Sequence, residues 1–235
     1  MAGTQTRTTT AAGRLSIVVP VLDEAAGVVA ALQSLAPLRE CGHEVIVVDG
    51  GSRDGTPALA APWADRVLAS ERGRARQMNT GAALAGGDVL LFLHADTVLP
   101  AGAAAAVRAA VATGAAWGRF DVCIAGASAW FPVIAAFMNW RSRLTGIATG
   151  DQAIFVQTAL FRRLGGYAEQ PLMEDVELSR RLRKVSQPTC LKERVLTSGR
   201  RWETRGVWRT ILLMWRLRWA YWRGASPEVL ARAYR

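Results

Sequence analysis

Acidic side chains follow three successive apolar segments of the chain, at the points where those segments end. The acids are Asp23 with Glu24, then Asp49, and then Asp96. Any one of them could simply cap the helix that comes next. Three acids at consecutive strand ends favour a shared site instead, because open α/β sheets bind ligands beyond the carboxyl ends of their strands. A carboxylate in that place could hold Mg²⁺ or Mn²⁺ together with the phosphates of a substrate.

The glycine-rich motifs of several large enzyme classes are missing. No GxGxxG follows the first apolar segment, and neither GxxxxGK[ST] nor GxSxG occurs anywhere. These absences argue against a dinucleotide-binding fold, a P-loop enzyme and an α/β-hydrolase. The residues after the first segment, VPVLDEA, also lack the glycine-rich loop with a Lys or Arg that nucleotidyltransferases usually carry there. A nucleotidyltransferase therefore remains only an alternative.

Alternating strand and helix patterns must position these acids. Strands are predicted where apolar, β-branched runs end at turn-forming residues, over 15–20, 44–48, 66–69 and 88–93. Helices are predicted over residues 24–38, 74–85 and 101–112. Strands that alternate with helices indicate an α/β domain with a right-handed, mostly parallel sheet.

The charge of the chain is basic and unevenly distributed. The formal net charge is +10 at pH 7, and residues 200–235 contain nine arginines against two acids, Glu203 and Glu228. Such a segment fits a solvated face, an anionic substrate, an anionic lipid surface or nucleic acid. A binding module for lipid or nucleic acid has no use for acids at three strand ends. A non-catalytic module therefore remains an alternative, and nucleic acid is not an expected partner.

A helical pattern near the C-terminus combines tryptophans with arginines. One face of residues 208–222 carries Trp208, Trp215, Trp219 and Trp222. Arginines flank this face, with Arg218 on the side opposite the others. Rings at headgroup depth beside arginines are typical of a membrane surface. Packing on the domain's own core or in a homodimer explains the pattern equally well, and the aromatic residues of 128–147 pose the same alternative.

Signals for targeting are absent. Residues 1–13 are rich in Thr and Ala without an apolar core, and no window offers eighteen uninterrupted apolar residues. The three cysteines lack paired spacing and indicate a reducing compartment. We therefore predict a disordered tail over residues 1–13, no transmembrane helix and a cytoplasmic location, in part at the inner face of the membrane.

Six motifs follow one another along the chain: SIVVPVLDEA (16–25), VIVVDGGSRDGT (45–56), GDVLLFLHADTVLP (87–100), GDQAIFV (150–156), FRRLGGY (161–167) and LMEDVELSRRLRK (172–184). In this order they resemble the motifs of family two glycosyltransferases, over residues 14–204. The variants HADT and RQMN, with SGRRWE (198–203), are similar to a small bacterial subgroup of the arsenosugar-biosynthesis type.

The resemblance implies a fold and an activity. The fold would be GT-A (Rossmann-like), a mixed and mostly parallel sheet flanked by helices, over residues 14–204. Residues 205–235 would form an aromatic and basic helical extension, packed on the domain or on a membrane surface. The activity would be an inverting, metal-dependent transfer of a sugar from a nucleotide donor, expected to be a UDP-sugar, to the hydroxyl of a small molecule or lipid.

The resemblance also implies roles for single residues. Asp49 matches the acid that hydrogen-bonds the donor's base, whose N–H a carboxylate accepts well. The other residues expected near the nucleotide are Pro20, Leu22, Glu24 and Ala95. Arg76, with Arg74 beside it, begins a predicted helix near the nucleotide and could contact base or diphosphate, or could lie on a solvated helix face. The residues expected near the sugar or acceptor are Gly150, Asp151, Gln152, Arg201 and Trp202. Asp151 and Gln152 could instead be turn residues that introduce a strand.

A metal and a base complete the implied site. Asp96 matches the last acid of the family's Asp-x-Asp metal motif, and Mn²⁺ or Mg²⁺ there would neutralise charge on the departing diphosphate. Asp175 matches the general base that deprotonates the acceptor hydroxyl. Glu174 beside it could raise the pKa of Asp175, or could simply be an acid that favours a helix N-terminus.

Three positions depart from the family pattern. His94 replaces the first acid of Asp-x-Asp; it could ligate Mn²⁺, or could only hydrogen-bond a neighbouring loop. DGGS in place of DDGS removes one acid but leaves Asp49. Ser198 replaces the Gln of Gln-x-x-Arg-Trp, which argues against processive polymer synthesis.

Overall fold

The computed structural model describes residues 13–234, so the predicted tail, apart from Gly13, lies outside the described residues. The strands are β1 (Leu15–Val21), β2 (Glu44–Asp49), β3 (Arg66–Ala69), β4 (Val89–Phe92), β5 (Thr97–Val98), β6 (Trp117–Ala125), β7 (Phe155–Gln157) and β8 (Thr189–Ser198). They form a single sheet in the order β3-β2-β1-β4-β7-β6-β8-β5.

Most neighbouring strands run in parallel. β1 is parallel to β2 and β4, β2 to β3, and β6 to β8. β7 is antiparallel to β4 and β6, and β5 is antiparallel to β8. The predicted mixed, mostly parallel sheet is confirmed. Val21 and Asp49 are register partners, so the carboxyl ends of β1 and β2 lie side by side.

Helices flank the sheet, and within the described residues three more come after its last strand in the chain. They are α1 (Val28–Gln33), α2 (Ala36–Glu40), α3 (Thr56–Ala60), α4 (Arg74–Leu84), α5 (Ala103–Ala112), α6 (Phe131–Thr145), α7 (Thr158–Arg163), α8 (Glu174–Arg183), α9 (Arg200–Arg205), α10 (Val207–Trp222) and α11 (Pro227–Tyr234). Short 3-10 turns occur at Ala61–Trp63 and Gly150–Gln152.

The predicted helix over residues 24–38 is wrong, because two short helices replace it. Pro37 has no N–H to donate to the carbonyl of Gln33, and its ring obstructs the preceding turn, so α1 ends and α2 begins anew. The start moves to Val28 because the residues after β1 form a turn. There the N–H of Glu24 donates to Oγ1 of Thr56 at 2.9 Å.

Alternation along the central strands fills both sides of the sheet. Ile17 and Val19 belong to an apolar cluster with α1, α5 and α6, whereas Val18 belongs to a cluster with α4, α7 and α8. A fully buried aliphatic side chain of this kind contributes about 1.5–3 kcal/mol relative to exposure. The sheet is therefore packed between helices on both faces. The carboxyl edge of its parallel strands holds the polar side chains there in fixed positions.

The predicted aromatic and basic C-terminal helix is confirmed as α10. One side of it packs on the domain, where Leu217 of α10 and Leu230 of α11 are buried against Met173. No helix within residues 13–234 is both long and apolar enough to cross a membrane.

Candidate active site

A cleft at the carboxyl edge of the parallel strands has two adjoining halves. The β1-side half is bordered by the loop after β1, the start of α4 and the residues after β4. The α8-side half is bordered by the turn at Gly150–Gln152, the start of α8, and helices α9 and α10. Four side chains line both halves and so mark their junction: Arg74, His94, Asp96 and Arg201.

Most of the predicted site residues line this cleft. In the β1-side half these are Pro20, Leu22, Glu24 and Ala95. In the α8-side half they are Gly150, Asp151, Glu174, Asp175 and Trp202. The remaining three, Asp49, Arg76 and Gln152, do not line either half, each for a different reason.

Asp49 uses its carboxylate inside its own loop. It is only 7% exposed, and its Oδ2 accepts hydrogen bonds from the N–H groups of Gly51 and Ser52, both at 3.0 Å. The hydroxyl of Ser52 in turn accepts a hydrogen bond from the N–H of Asp23, which joins this loop to the loop after β1. Asp49 therefore shapes the loop beside the cleft, and its contact with a base stays a prediction.

Gln77 of α4 ties the first two strand ends together. Its Nε2 donates to the carbonyls of Val21 and Val48, each at 2.8 Å, and the residue is 3% exposed while bordering the β1-side half. The sequence pattern did not single out Gln77. A polar residue between the buried residues Ala75 and Met78 was the available signal.

The structure places Arg74, and not Arg76, in the cleft. Arg76 is held outside by ion pairs with Glu71 and with Glu169, the second at 3.3 Å. Arg74 lines both halves and has no hydrogen-bond or ion-pair partner among residues 13–234. Residues two apart on a helix point about 200° apart, so only one of the two can face the cleft. A nucleotide contact of Arg76 therefore stays a prediction, and Arg74 is the arginine that this arrangement presents to the cleft.

His94 is enclosed by the turn at Gly150–Gln152. Its Nδ1 lies 3.4 Å from Oδ1 of Asp151. A methyl group in place of the Gly150 hydrogen would stand 2.4 Å from Nε2 of His94, so this second nitrogen packs against the glycine. Both ring nitrogens thus face the turn. The geometry favours the hydrogen-bonding role of His94 over the predicted metal ligation.

Asp96 is the acid at the junction that is free to bind a cation. It is exposed, and its one side-chain hydrogen bond with residues 13–234 is a long contact of 3.4 Å from the Thr97 hydroxyl. Within the described range, no three acidic, His or Cys side chains form a complete metal site. Mg²⁺ and Mn²⁺ nevertheless accept one carboxylate with phosphate oxygens and water, so the residues fit such an ion once a diphosphate is present.

Asp151 is held as an anion beside this acid. Burial raises the pKa of Asp151, but the hydrogen bond and charge of His94, helped by Arg74 and Arg201, outweigh it and bring the pKa to about 2. The carboxylate faces the α8-side half of the cleft. A negative charge is therefore fixed close to the junction.

Helix α8 begins with the two acids Glu174 and Asp175. Met173 adopts a left-handed conformation with φ of 67° immediately before them. Oδ2 of Asp175 accepts the N–H of Gly150 at 2.9 Å, and Oδ1 accepts the N–H of Val176 at 2.7 Å. Glu174 is 6% exposed, and burial, followed by the charge of Asp175, raises its pKa. Asp175 is thus the better oriented and more accessible of the two acids.

Gln152 supports the turn and does not face the cleft. Its side chain is completely buried. Oε1 accepts the N–H of Thr149 at 3.3 Å, and Nε2 donates to the hydroxyl of Ser142 on α6 at 3.1 Å. The buried amide is used in positioning its neighbours, so the contact of Gln152 with sugar or acceptor stays a prediction.

Two arginines of the C-terminal helices line the α8-side half, namely Arg201 of α9 and Arg218 of α10. Arg201 lies over the ring of Tyr234, 4.5 Å from its centroid. Burial lowers the pKa of Arg218, while Asp175 and Asp151 oppose that shift. The sequence pattern did not assign Arg218 to the site, although its place opposite the other arginines of the helix was the signal.

A second surface, the aromatic face, is formed by the outer sides of α6 and α10. Ring centroids of Trp130 and Trp208 are 4.9 Å apart, and those of Phe137 and Trp215 are 6.2 Å apart. Its residues are 44–78% exposed: Trp130, Phe137, Trp140, Trp208, Trp215, Trp219 and Trp222. Seven large exposed rings on two adjoining helices are typical of an interaction surface.

The sequence itself matches known transferases. The family described as Glycosyl transferase family 2 matches residues 16–164. A "PGL/p-HBAD biosynthesis glycosyltransferase" of Mycobacterium bovis BCG is 40% identical over 97 residues, a match that covers 38% of this chain and 38% of that protein. The match therefore spans well under half of this curated relative.

Solved structures resemble the fold over most of the chain. A mannosyltransferase from Pyrobaculum calidifontis in complex with GDP-Man and Mn²⁺ has a TM-score of 0.63 at 22% identity, covering 96% of this chain and 70% of that one. Glucosyl-3-phosphoglycerate synthase from Mycobacterium tuberculosis, in complex with Mn²⁺, UDP and glucosyl-3-phosphoglycerate, has a TM-score of 0.57 at 20% identity, covering 78% and 70%. The predicted GT-A fold is confirmed by these neighbours.

Proposed function

The chain belongs to glycosyl transferase family 2, and on this premise we propose that it transfers a sugar from a nucleoside diphosphate donor to a hydroxyl acceptor. The observation that carries the proposal is that Asp96 and Asp175 line one half of one cleft. A carboxylate such as Asp96 suits a metal ion at a leaving diphosphate. A carboxylate such as Asp175, fixed by two N–H groups, suits a base at an incoming hydroxyl.

The donor in this proposal is a UDP-sugar in the β1-side half of the cleft. The loop after β1, with Pro20 and Leu22, would border the base and ribose. Arg74 and Arg201 stand at the junction and would bind the diphosphate, since guanidinium groups form paired hydrogen bonds with phosphate oxygens. Structural neighbours contain UDP in one case and GDP-Man in another, so both bases belong in the first binding test.

The cofactor in this proposal is Mn²⁺ or Mg²⁺, held by Asp96 and by oxygen atoms of the donor. When bound, the ion neutralises negative charge on the leaving diphosphate. Arg74 and Arg201 contribute positive charge to the same place. His94 acts indirectly, because it holds Asp151 and packs against Gly150.

Asp175 is the general base in this proposal. The acceptor hydroxyl passes its proton to a carboxylate oxygen of Asp175 while its oxygen forms a bond to the anomeric carbon. The bond between that carbon and the diphosphate oxygen breaks in the same displacement. A single displacement inverts the configuration of the anomeric carbon.

Calorimetric titration tests the donor site. UDP, GDP and CDP would each be titrated with and without Mn²⁺ into the wild type, Asp96→Asn and Asp49→Ala. Glu40→Gln is the matched control, because Glu40 is an exposed acid outside the cleft. We expect Mn²⁺-dependent binding of UDP that Asp96→Asn and Asp49→Ala weaken and the control leaves unchanged. Failure of all three diphosphates to bind would reject the proposed function.

The aromatic face adds a location to the proposal, namely the surface of an anionic membrane. Arg209 and Arg216 are exposed along α10 and Arg223 directly after it, and α6 contains no acidic residue. Tryptophan rings and arginine side chains of this kind are favoured at headgroup depth, and the cytoplasmic leaflet is anionic. A second copy of the chain would present the same positive charge and be repelled. The inner sides of α6 and α10 line the cleft, so this contact would bring the acceptor half close to the headgroups.

A further inference from the structure

A groove rich in arginine continues the cleft beyond the start of α8. Val176 and Arg218 line both this groove and the α8-side half, so the two are continuous. Four guanidinium groups border it, and none of its described lining residues is acidic. We call it the arginine groove, after Arg141 of α6, Arg180 and Arg183 of α8, and Arg218 of α10.

Part of this positive charge is buried without a partner. Nε and Nη2 of Arg141 are inaccessible to solvent and have no hydrogen-bond partner within the described part of the chain. Burial, and then the nearby charge of Arg218, lowers the pKa of Arg141 to about 9. Arg218 itself forms no hydrogen bond or ion pair with any residue in 13–234. Two partly buried guanidinium groups therefore stand close together with no carboxylate bound to either.

Three other arginines, on β6, α6 and α8, are paired with carboxylates, in contrast to Arg141 and Arg218. Arg119 is fully buried and forms an ion pair with Asp121. Arg143 donates to the same carboxylate at 2.7 Å. Arg181 forms an ion pair with Glu177 and donates to the carbonyl of Leu164 at 2.6 Å. The charge of Asp175 reaches both Arg141 and Arg218, but no carboxylate within residues 13–234 forms an ion pair with either. A partly buried positive charge without a paired carboxylate is unfavourable, so the groove has room for an anionic group.

We propose that the arginine groove binds a negatively charged group of the acceptor, a phosphate monoester or diester, while the acceptor's hydroxyl lies at Asp175. This rests on the proposed function. Guanidinium groups bind phosphate oxygens through two parallel hydrogen bonds, and a cluster of them selects for phosphate over neutral ligands. The location of the groove indicates that the bound phosphate belongs to the acceptor. Arg218 lines only the α8-side half and the groove, whereas Arg74 and Arg201 also line the β1-side half, where the donor would bind.

Phosphate probes test the groove on protein already saturated with UDP and Mn²⁺, so that the diphosphate position is filled. Calorimetry would compare glycerol 3-phosphate, a soluble monoester, with dioctanoyl phosphatidic acid, which carries the same group on a lipid. We expect at least one probe to bind. Arg218→Gln and Arg141→Gln should each weaken that binding tenfold or more. Arg163→Gln, an exposed arginine outside the cleft and the groove, should change it less than twofold.

The outcomes separate this inference from the proposed function. The preferred probe shows whether the phosphate belongs to a soluble or a lipid acceptor. No binding of either probe, equal weakening by Arg163→Gln, or displacement of UDP by the probe would overturn the inference. Unchanged UDP affinity in the variants shows that the donor site is intact. If UDP itself does not bind, the same titrations on the free protein still test the groove. The double variant Arg180→Gln with Arg183→Gln, at exposed positions, replaces Arg141→Gln should the latter not fold.

Discussion

Gly150 donates its backbone N–H to Oδ2 of Asp175 over 2.9 Å. The same glycine has no room for a side chain, because a methyl group there would stand 2.4 Å from the imidazole of His94. One residue therefore fixes both the acid at the start of α8 and the ring at the end of β4. The turn at Gly150–Gln152 therefore contacts residues on both sides of the cleft.

Asp175→Asn should abolish most of the transfer activity without loss of donor binding. An amide of the same shape keeps the local packing but cannot take a proton, and general base catalysis contributes about 10²–10⁴-fold. The measurement is the rate of UDP release from a UDP-sugar, beside the calorimetric Kd for UDP. Glu40→Gln serves as the control. A variant that releases UDP at the wild-type rate would exclude Asp175 as the base.

Gly150→Ala should lower kcat by about 10–100-fold in a protein that still folds, because a displacement of about 1 Å at a catalytic group costs that much. The added methyl must push His94 aside or lift the N–H away from Asp175. Gly86→Ala is the control, since a methyl group there would meet only ordinary contacts of 3.7 Å and more. Circular dichroism and kcat would be measured for both. Full activity of Gly150→Ala would show that the turn does not position the base.

Asp96 and His94 should respond differently to Mn²⁺. Asp96→Asn removes the proposed ligand and should raise the Mn²⁺ concentration required for UDP binding at least tenfold. His94→Gln should change that requirement less than threefold, because both ring nitrogens face the turn at Gly150–Gln152. The measurement is the paramagnetic resonance signal of free Mn²⁺ during titration in the presence of UDP. A larger effect from His94→Gln would restore His94 as the ligand.

The central parallel strands β1, β2 and β4 could be predicted because each is a continuous apolar run that becomes a fully buried strand. Residues 44–48 and 66–69 were predicted to within one residue of β2 and β3. Helix ends were less predictable, since Pro37 interrupts a pattern whose apolar spacing continues through it. The strand-end pattern pointed to Asp96 and the family resemblance to Asp175, and both line the same half of the cleft, while their roles stay predictions.

Contacts between distant segments could not be read from the sequence. The choice between Arg74 and Arg76 depends on the rotation of α4, which its packing on the sheet decides. Gln152 is buried with its side-chain amide donating a hydrogen bond to the hydroxyl of Ser142 on α6. No local sequence pattern predicts this contact. Arg218 enters the cleft only because α10 folds back onto α8.

Glu174→Gln should raise the free energy of unfolding at neutral pH. Burial, with the charge of Asp175, raises the pKa of Glu174 in the folded protein above its ordinary value of 4.5. The folded state then binds more protons than the unfolded state between the two values, so this residue's contribution to stability falls as the pH rises through that window and remains unfavourable above it. Urea unfolding at pH 4.5 and at pH 7 would measure the effect. A variant that is less stable than wild type at pH 7 would contradict it.

Binding to vesicles tests the aromatic face. The double variant Trp215→Ala with Trp219→Ala removes two rings that are 57% and 60% exposed, and should reduce sedimentation with phosphatidylserine-containing vesicles tenfold or more. The reason is that each large apolar side chain moved out of water contributes about 1.5–3 kcal/mol when fully buried. Leu59→Ala with Leu84→Ala is the control, because these leucines are exposed at 41% and 48% outside the face.

The same experiment distinguishes a membrane from a second copy of the chain. Binding to an anionic surface through Arg209, Arg216 and Arg223 should weaken with added salt, because at 0.1 M salt charges more than about 10 Å apart are largely screened. It should also weaken on vesicles of pure phosphatidylcholine, because these carry no net negative charge. Dimerisation through the rings should instead persist or strengthen in salt, since like charges on the two faces are then screened. Analytical ultracentrifugation of the wild type and of Trp215→Ala with Trp219→Ala, at low and high salt, would measure the fraction of dimer. A dimer that the substitutions dissociate, with no vesicle binding by the wild type, would assign the aromatic face to self-association.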